Sequence, residues 1–115
     1  MSNIDKDTFD RFLRDVGEEN AEMILDLFIE EMREYENSLK EAASLSSIKD
    51  IMHKLKSSAL SMGASTVANL AIEIENLARN DDSKSFDLLP DLYEAFQITI
   101  SFFNDYKKNL SKKAP

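Results

Sequence analysis

The chain has no cysteine, only two glycines and two prolines, and a single histidine among its 115 residues. Without cysteine, neither a disulfide framework nor a thiolate metal site can form. Few turn-forming residues set against 43% hydrophobic ones favour helices over a many-stranded sheet. No apolar stretch opens the sequence, which begins MSNIDKDTF where a signal peptide would need a hydrophobic run. None of its apolar runs reaches the length that crosses a bilayer, so a cytoplasmic location is expected. Cations are also scarce: 14 lysines and arginines face 22 acids, for a formal net charge of -8. That balance excludes a general affinity for nucleic acid or for anionic membranes and points to protein partners. The length suits one hydrophobic core, so residues 1–115 are read as a single domain.

What is present is helical periodicity. Asp5 or Asp7 can cap a short N-terminal helix carrying Phe9, Phe12, Leu13 and Val16, with Gly17 placed to end it. From about Glu18 to Ser44, Met23, Leu27, Met32, Tyr35 and Leu39 recur at spacings of three to five, supported by Ile24, Phe28 and Ala42. Ser47 with Asp50 resembles a capping box for a third helix. Its apolar side is Ile48, Ile51, Met52, Leu55, Ala59 and Met62, and Gly63 closes it. Ser65 or Thr66 then caps a fourth helix with the stripe Val67, Leu70, Ala71, Ile74 and Leu77. Asn80–Ser85 reads as a loop. Asp87 is placed to cap a last helix, with Pro90 in its first turn and Leu88, Leu89, Leu92, Tyr93, Phe96, Ile100, Phe103 and Tyr106 along one side. Lys107, Lys108, Lys112 and Lys113 suit its C-terminal end, and the tail after Leu110 is expected to fray. Short connections between long helices imply antiparallel neighbours. The expected fold is therefore all-α: an antiparallel up-down four-helix bundle with a short additional N-terminal helix.

The histidine falls in HKLKSSALSMG, residues 53 to 63. At roughly 100° per residue His53 lies roughly 140° from the centre of the third helix's apolar arc, and so faces solvent. Lys49 and Lys56 share its side, with Ser57 one turn on and Leu60 beyond. Residues 51 to 72 contain no acid, where an even spread would place about four, so the histidine sits in an electropositive island of an anionic chain. A neutral imidazole offers one nitrogen with a free lone pair and can attack an activated phosphoryl group without a separate base. Lysines one turn away can offset the phosphate's charge and hydrogen-bond its oxygens. There is no glycine-rich nucleotide loop, no pair of carboxylates near the histidine in sequence to hold magnesium, and no second histidine. Such a chain could accept and donate a phosphoryl group but would depend on a partner for the remaining catalytic groups.

These residues resemble the histidine-containing phosphotransfer (HPt) domain family, whose core pattern reads His-x-Leu-Lys-Gly, then a second glycine six residues later and a leucine-rich helix ending in Leu-Glu. His53, Leu55, Lys56 and Gly63 fall in register, Val67, Leu70 and Ala71 occupy the next helix's apolar positions, and Ile74-Glu75 stands for Leu-Glu. Ser57 replaces the usual glycine, still small enough to leave the imidazole accessible. The stretch around His53-Lys54-Leu55-Lys56-Ser57-Ser58-Ala59 is further similar to a subgroup of free-standing quorum-sensing phosphorelay proteins. The resemblance implies a phosphoryl carrier rather than an enzyme, with His53 as acceptor and donor through Nε2, and Lys56 and Lys49 stabilising the phosphate. It also implies docking through Ser57, Leu60, Ser61, Gly63 and Ala64. The implied partners are the receiver domain of a hybrid sensor kinase and the receiver domain of a response regulator. No cofactor or metal of the chain's own is implied, the receiver supplying magnesium and a lysine, and a monomer is expected. The rival readings are a helical module that binds receiver or kinase domains without being phosphorylated, and a metal-dependent hydrolase or kinase built on the many acids. Most of those acids fall on the solvent side of amphipathic helices, where charge serves solubility.

Overall fold

Among the described residues six helices carry the fold: α1 Lys6–Val16, α2 Glu18–Ala42, α3 Leu45–Met62, α4 Ser65–Arg79, α5 Lys84–Asp87 and α6 Leu89–Lys113. The computed structural model describes residues 3–42 and 44–113, and no strand occurs among them, so the fold class is all-α. The side chains of Ala42, Lys112 and Lys113, given packing and end-charge roles above, lie outside the described residues. α3 packs on α4, α4 on α6, α6 on α2 and α2 on α3, so the four long helices surround one core; α1 adds to α2 and α3, and α5 to α4 and α6. Phe96, Phe103, Leu25, Met32, Ile48, Met52, Leu55, Ile74 and Leu92 are sealed inside it. Among the described residues no helix is long and apolar enough to cross a membrane.

α2 departs most from the expectation. Its buried side is Ala21, Leu25, Phe28, Ile29, Met32 and Leu39, whereas Met23 and Leu27 are 58% and 59% exposed. The expected stripe stepped five residues from Leu27 to Met32, and a step of five turns about 140° around a helix, so it joined two different faces. The run MILDLFI is apolar on both sides, and only packing against α3 and α6 chooses between them.

The helix ends follow local chemistry. Asp5 caps α1 by accepting from Thr8 N at 3.3 Å. Ser44, rather than Ser47, caps α3. Its hydroxyl accepts from Ser47 N at 3.1 Å while Ser47 Oγ accepts from Ser44 N at 2.9 Å, so two hydroxyls complete the reciprocal box in place of Ser47 and Asp50. α4 starts from Ala64 with no side-chain cap, so neither Ser65 nor Thr66 has the expected role. The expected 80–85 loop ends early, as Lys84 N bonds Asp82 Oδ1 at 2.9 Å and begins the one-turn α5. Asp87 ends α5 rather than capping α6. α6 runs to Lys113.

Gly63 ends α3 at φ 78, ψ 15, where a side chain is disfavoured. Its carbonyl accepts from Asp5 N at 2.7 Å. A Cβ there would lie 2.7 Å from Asp5 O and 2.9 Å from Phe9 N. This glycine thus joins α1 to the α3–α4 corner and sets where α4 begins.

Candidate functional site

His53 projects from α3 with its side chain 68% exposed, on the solvent side as its wheel position required. Its Nδ1 lies 3.0 Å from Oε2 of Glu75, a carboxylate on α4 that is 2% exposed. Lys56, one turn along α3, donates from Nζ to Glu75 Oε1 at 2.8 Å, and Arg79, one turn along α4, donates from Nη2 to Oε2 at 2.9 Å. Three basic side chains from two helices therefore converge on one buried acid. Burial alone would raise the Glu75 carboxyl, but hydrogen bonds from Lys56 and His53 and the charges of Lys56 and Arg79 outweigh it and hold its pKa below the ordinary glutamate value.

This arrangement decides the roles of the two imidazole nitrogens. An ionised carboxylate only accepts, so Nδ1 carries the hydrogen and donates it to Glu75, and in the neutral ring the lone pair is then on Nε2. Lys49, Asp50, Lys54 and Arg79 join His53 and Glu75 around an open hollow of about 320 Å³. Among the described residues no group of three or more His, Asp or Glu lies together as a metal site would require.

Residue 75 was legible only as part of a family pattern, and Arg79 was not singled out at all. A signal existed: Ala68, Ala71, Glu75 and Ala78 follow a 3-4-3 spacing, and all four are buried. An acid in such a stripe demands basic partners. It lies three residues beyond the acid-free stretch 51 to 72.

Among the other expected site residues, Ser57, Leu60 and Ser61 are exposed along α3, Leu60 by 52%. Lys49 borders the hollow. Gly63 and Ala64 do not belong to an accessible surface. Both are buried, Gly63 under the α1 backbone and Ala64 fully inside the core, so their assignment to docking is corrected to a structural one. Lys56 is reached, but its ammonium is already held by Glu75, so the island is less positive than its sequence suggested.

The sequence pattern of the Hpt domain matches residues 23–99, which include the histidine, its glutamate and all of α3 and α4. The chain belongs to the Hpt domain family. It is 31% identical over 88 residues to phosphorelay protein LuxU of Vibrio cholerae serotype O1, an alignment covering 74% of this chain and 78% of that one. It is 36% identical to phosphorelay protein LuxU of Vibrio vulnificus strain YJ016, covering 60% of this chain and 63% of that one. Against phosphorelay protein LuxU of Vibrio harveyi it is 38% identical, covering 56% of this chain and 60% of that one. No solved structure matches it significantly.

Proposed function

We propose that this Hpt domain is a phosphorelay intermediate that takes a phosphoryl group onto His53 Nε2 from a receiver-domain aspartyl phosphate and delivers it to a second receiver. The relatives named phosphorelay protein LuxU support this reading, and a place in quorum sensing follows from the resemblance of the sequence around His53. The observation that carries it is the His53–Glu75 pair: an exposed imidazole whose Nδ1 is tied at 3.0 Å to a buried carboxylate.

The step balances without an external base. The Nε2 lone pair attacks phosphorus, the P–O bond to the receiver aspartate breaks, and its electron pair returns to that carboxylate. The hydrogen on Nδ1 stays, and Glu75 offsets the ring's positive charge while the phosphoryl group is held. Lys49 and Lys54 stand at the rim of the hollow, and Lys56 and Arg79 can share their hydrogen bonds between Glu75 and the phosphoryl oxygens. Docking falls to Ser57, Leu60 and Ser61. Magnesium and the lysine that activate the aspartyl phosphate belong to the receiver. The scaffold is an antiparallel up-down four-helix bundle, a topology favoured by the two-residue links between α2, α3 and α4.

The test is a single substitution. His53→Gln should keep the helix content and melting temperature of the parent, since the side chain is exposed, yet accept no label from a radiolabelled phospho-receiver. The parent should form an acid-labile, base-stable adduct at residue 53. Label retained by the variant would refute the assignment.

A further inference from the structure

Met23 and Leu27 are the two most exposed large apolar residues among the described ones, 58% and 59% open, and stand one turn apart on α2. On a wheel of roughly 100° per residue they fall between two directions in which α2 is already held. Asp26 on one side pairs with Lys107 of α6, and Glu31 on the other accepts from Ser58 of α3 at 3.5 Å. The pair therefore points outward between α3 and α6. Around it Glu19, Glu22, Asp26 and Glu30 line a shallow groove of about 390 Å³. Glu19 and Asp26 are four and three residues from Met23, Glu30 is three from Leu27 and Glu22 adjoins Met23, so an apolar ridge runs inside a rim of carboxylates.

We propose that this ridge is a docking surface for a cationic amphipathic helix of a protein partner, separate from the surface that meets receivers. The argument is charge complementarity in opposite senses on two parts of one molecule. Around His53 the hollow is bordered by Lys49, Lys54 and Arg79 against two acids, Asp50 and the buried Glu75, so its outer border is net basic and suits an acidic partner. Around Met23 and Leu27 the rim is acidic: among the described residues Asp26 is the one rim acid in an ion pair, with Lys107, and Glu22 shares a hollow with Lys107 and Lys108, so the rim stays net acidic and repels the same partner. A helix placing two or three apolar side chains on the ridge and lysines or arginines on either side would satisfy both features, while the basic border of the His53 hollow would turn it away. Polar side chains at these two positions would serve α2 equally well, since its buried side is complete without Met23 and Leu27.

The probe is an 18-residue helical peptide of leucine and lysine, titrated into the isotopically labelled full-length chain. Resonances of Met23, Leu27, Glu22 and Glu30 should shift, and those around His53 should stay. Met23→Ser with Leu27→Ser should weaken binding at least tenfold. Glu22→Lys with Glu30→Lys should do so equally while leaving the apolar pair in place; unchanged melting confirms both variants as folded. Transfer of phosphoryl label from a receiver to His53 should run at the parent rate in both. Shifts centred on His53, binding indifferent to both double variants, or self-association of the parent that the serine variant abolishes would each overturn the proposal. A severalfold loss of transfer in either variant would assign the ridge to the receiver footprint and overturn it as well, whereas failure of His53 to accept label in the parent would sink only the phosphorelay reading.

Discussion

At the scale of single residues, Glu75 is the group on which the site turns. Glu75→Gln keeps an oxygen for Nδ1 but removes the charge, and Glu75→Ala removes both. A hydrogen bond to a charged group contributes about 1.5–3 kcal/mol, so Glu75→Ala should slow transfer to His53 by roughly ten- to a hundredfold. The glutamine variant should lie between it and the parent in rapid-quench phosphotransfer, and equal rates for all three would remove Glu75 from the mechanism. Its lowered pKa also sets a sign for stability. The folded chain holds this proton less tightly than the unfolded chain, so the stabilisation is full above the ordinary glutamate value of about 4.3 and is lost as the pH falls from there through the folded pKa. Urea unfolding between neutral and acidic pH should show a shallower loss of stability for Glu75→Gln than for the parent. His53 itself could be placed from the sequence because solvent exposure follows from helical phase alone. Glu75 could not, because its meaning lies in contacts with His53 and Lys56 on α3, a different helix, and Arg79 takes its own from Glu75, its partner within α4.

At the scale of elements, the α3–Gly63–α4 corner fixes the distance between His53 and Glu75. Gly63→Ala must adopt a left-handed conformation at about 1–2 kcal/mol and also press on Asp5 O and Phe9 N. Its melting temperature should fall by more than the 4–8 °C that roughly 1 kcal/mol produces in a domain near this size. An unchanged melting curve would mean the α1 contact is not made in solution. The two faces of α2 give a paired test. Leu25→Ala, at a sealed position, should cost about 2–5 kcal/mol. Leu27→Ser, at a position 59% exposed, should stay within about 0.5 kcal/mol. If the two urea midpoints moved alike, the burial assigned to α2 would be wrong. The sequence readily placed the existence of five of the six helices and the cap at Gly63. Helix starts were less legible, since three neighbouring serines offer several equivalent caps and only the achieved geometry selects Ser44.

At the scale of the whole molecule, charge is sorted although the net value is -8. Association with an acidic receiver at the His53 hollow should slow as salt rises, because Lys49, Lys54 and Arg79 act at a distance that a Debye length of about 8–10 Å screens. Stopped-flow association rates that do not change with ionic strength would contradict this. Composition and periodicity by themselves determined an all-helical chain, one histidine on the outside of its helix, and cations beside it, for these follow from local spacing and turn propensity. The tertiary structure decided which side of α2 is buried, that Gly63 and Ala64 are internal, and that a carboxylate from α4 reaches the imidazole. Each of those depends on how one helix is rotated against another, and that rotation is set by many side chains packing at once.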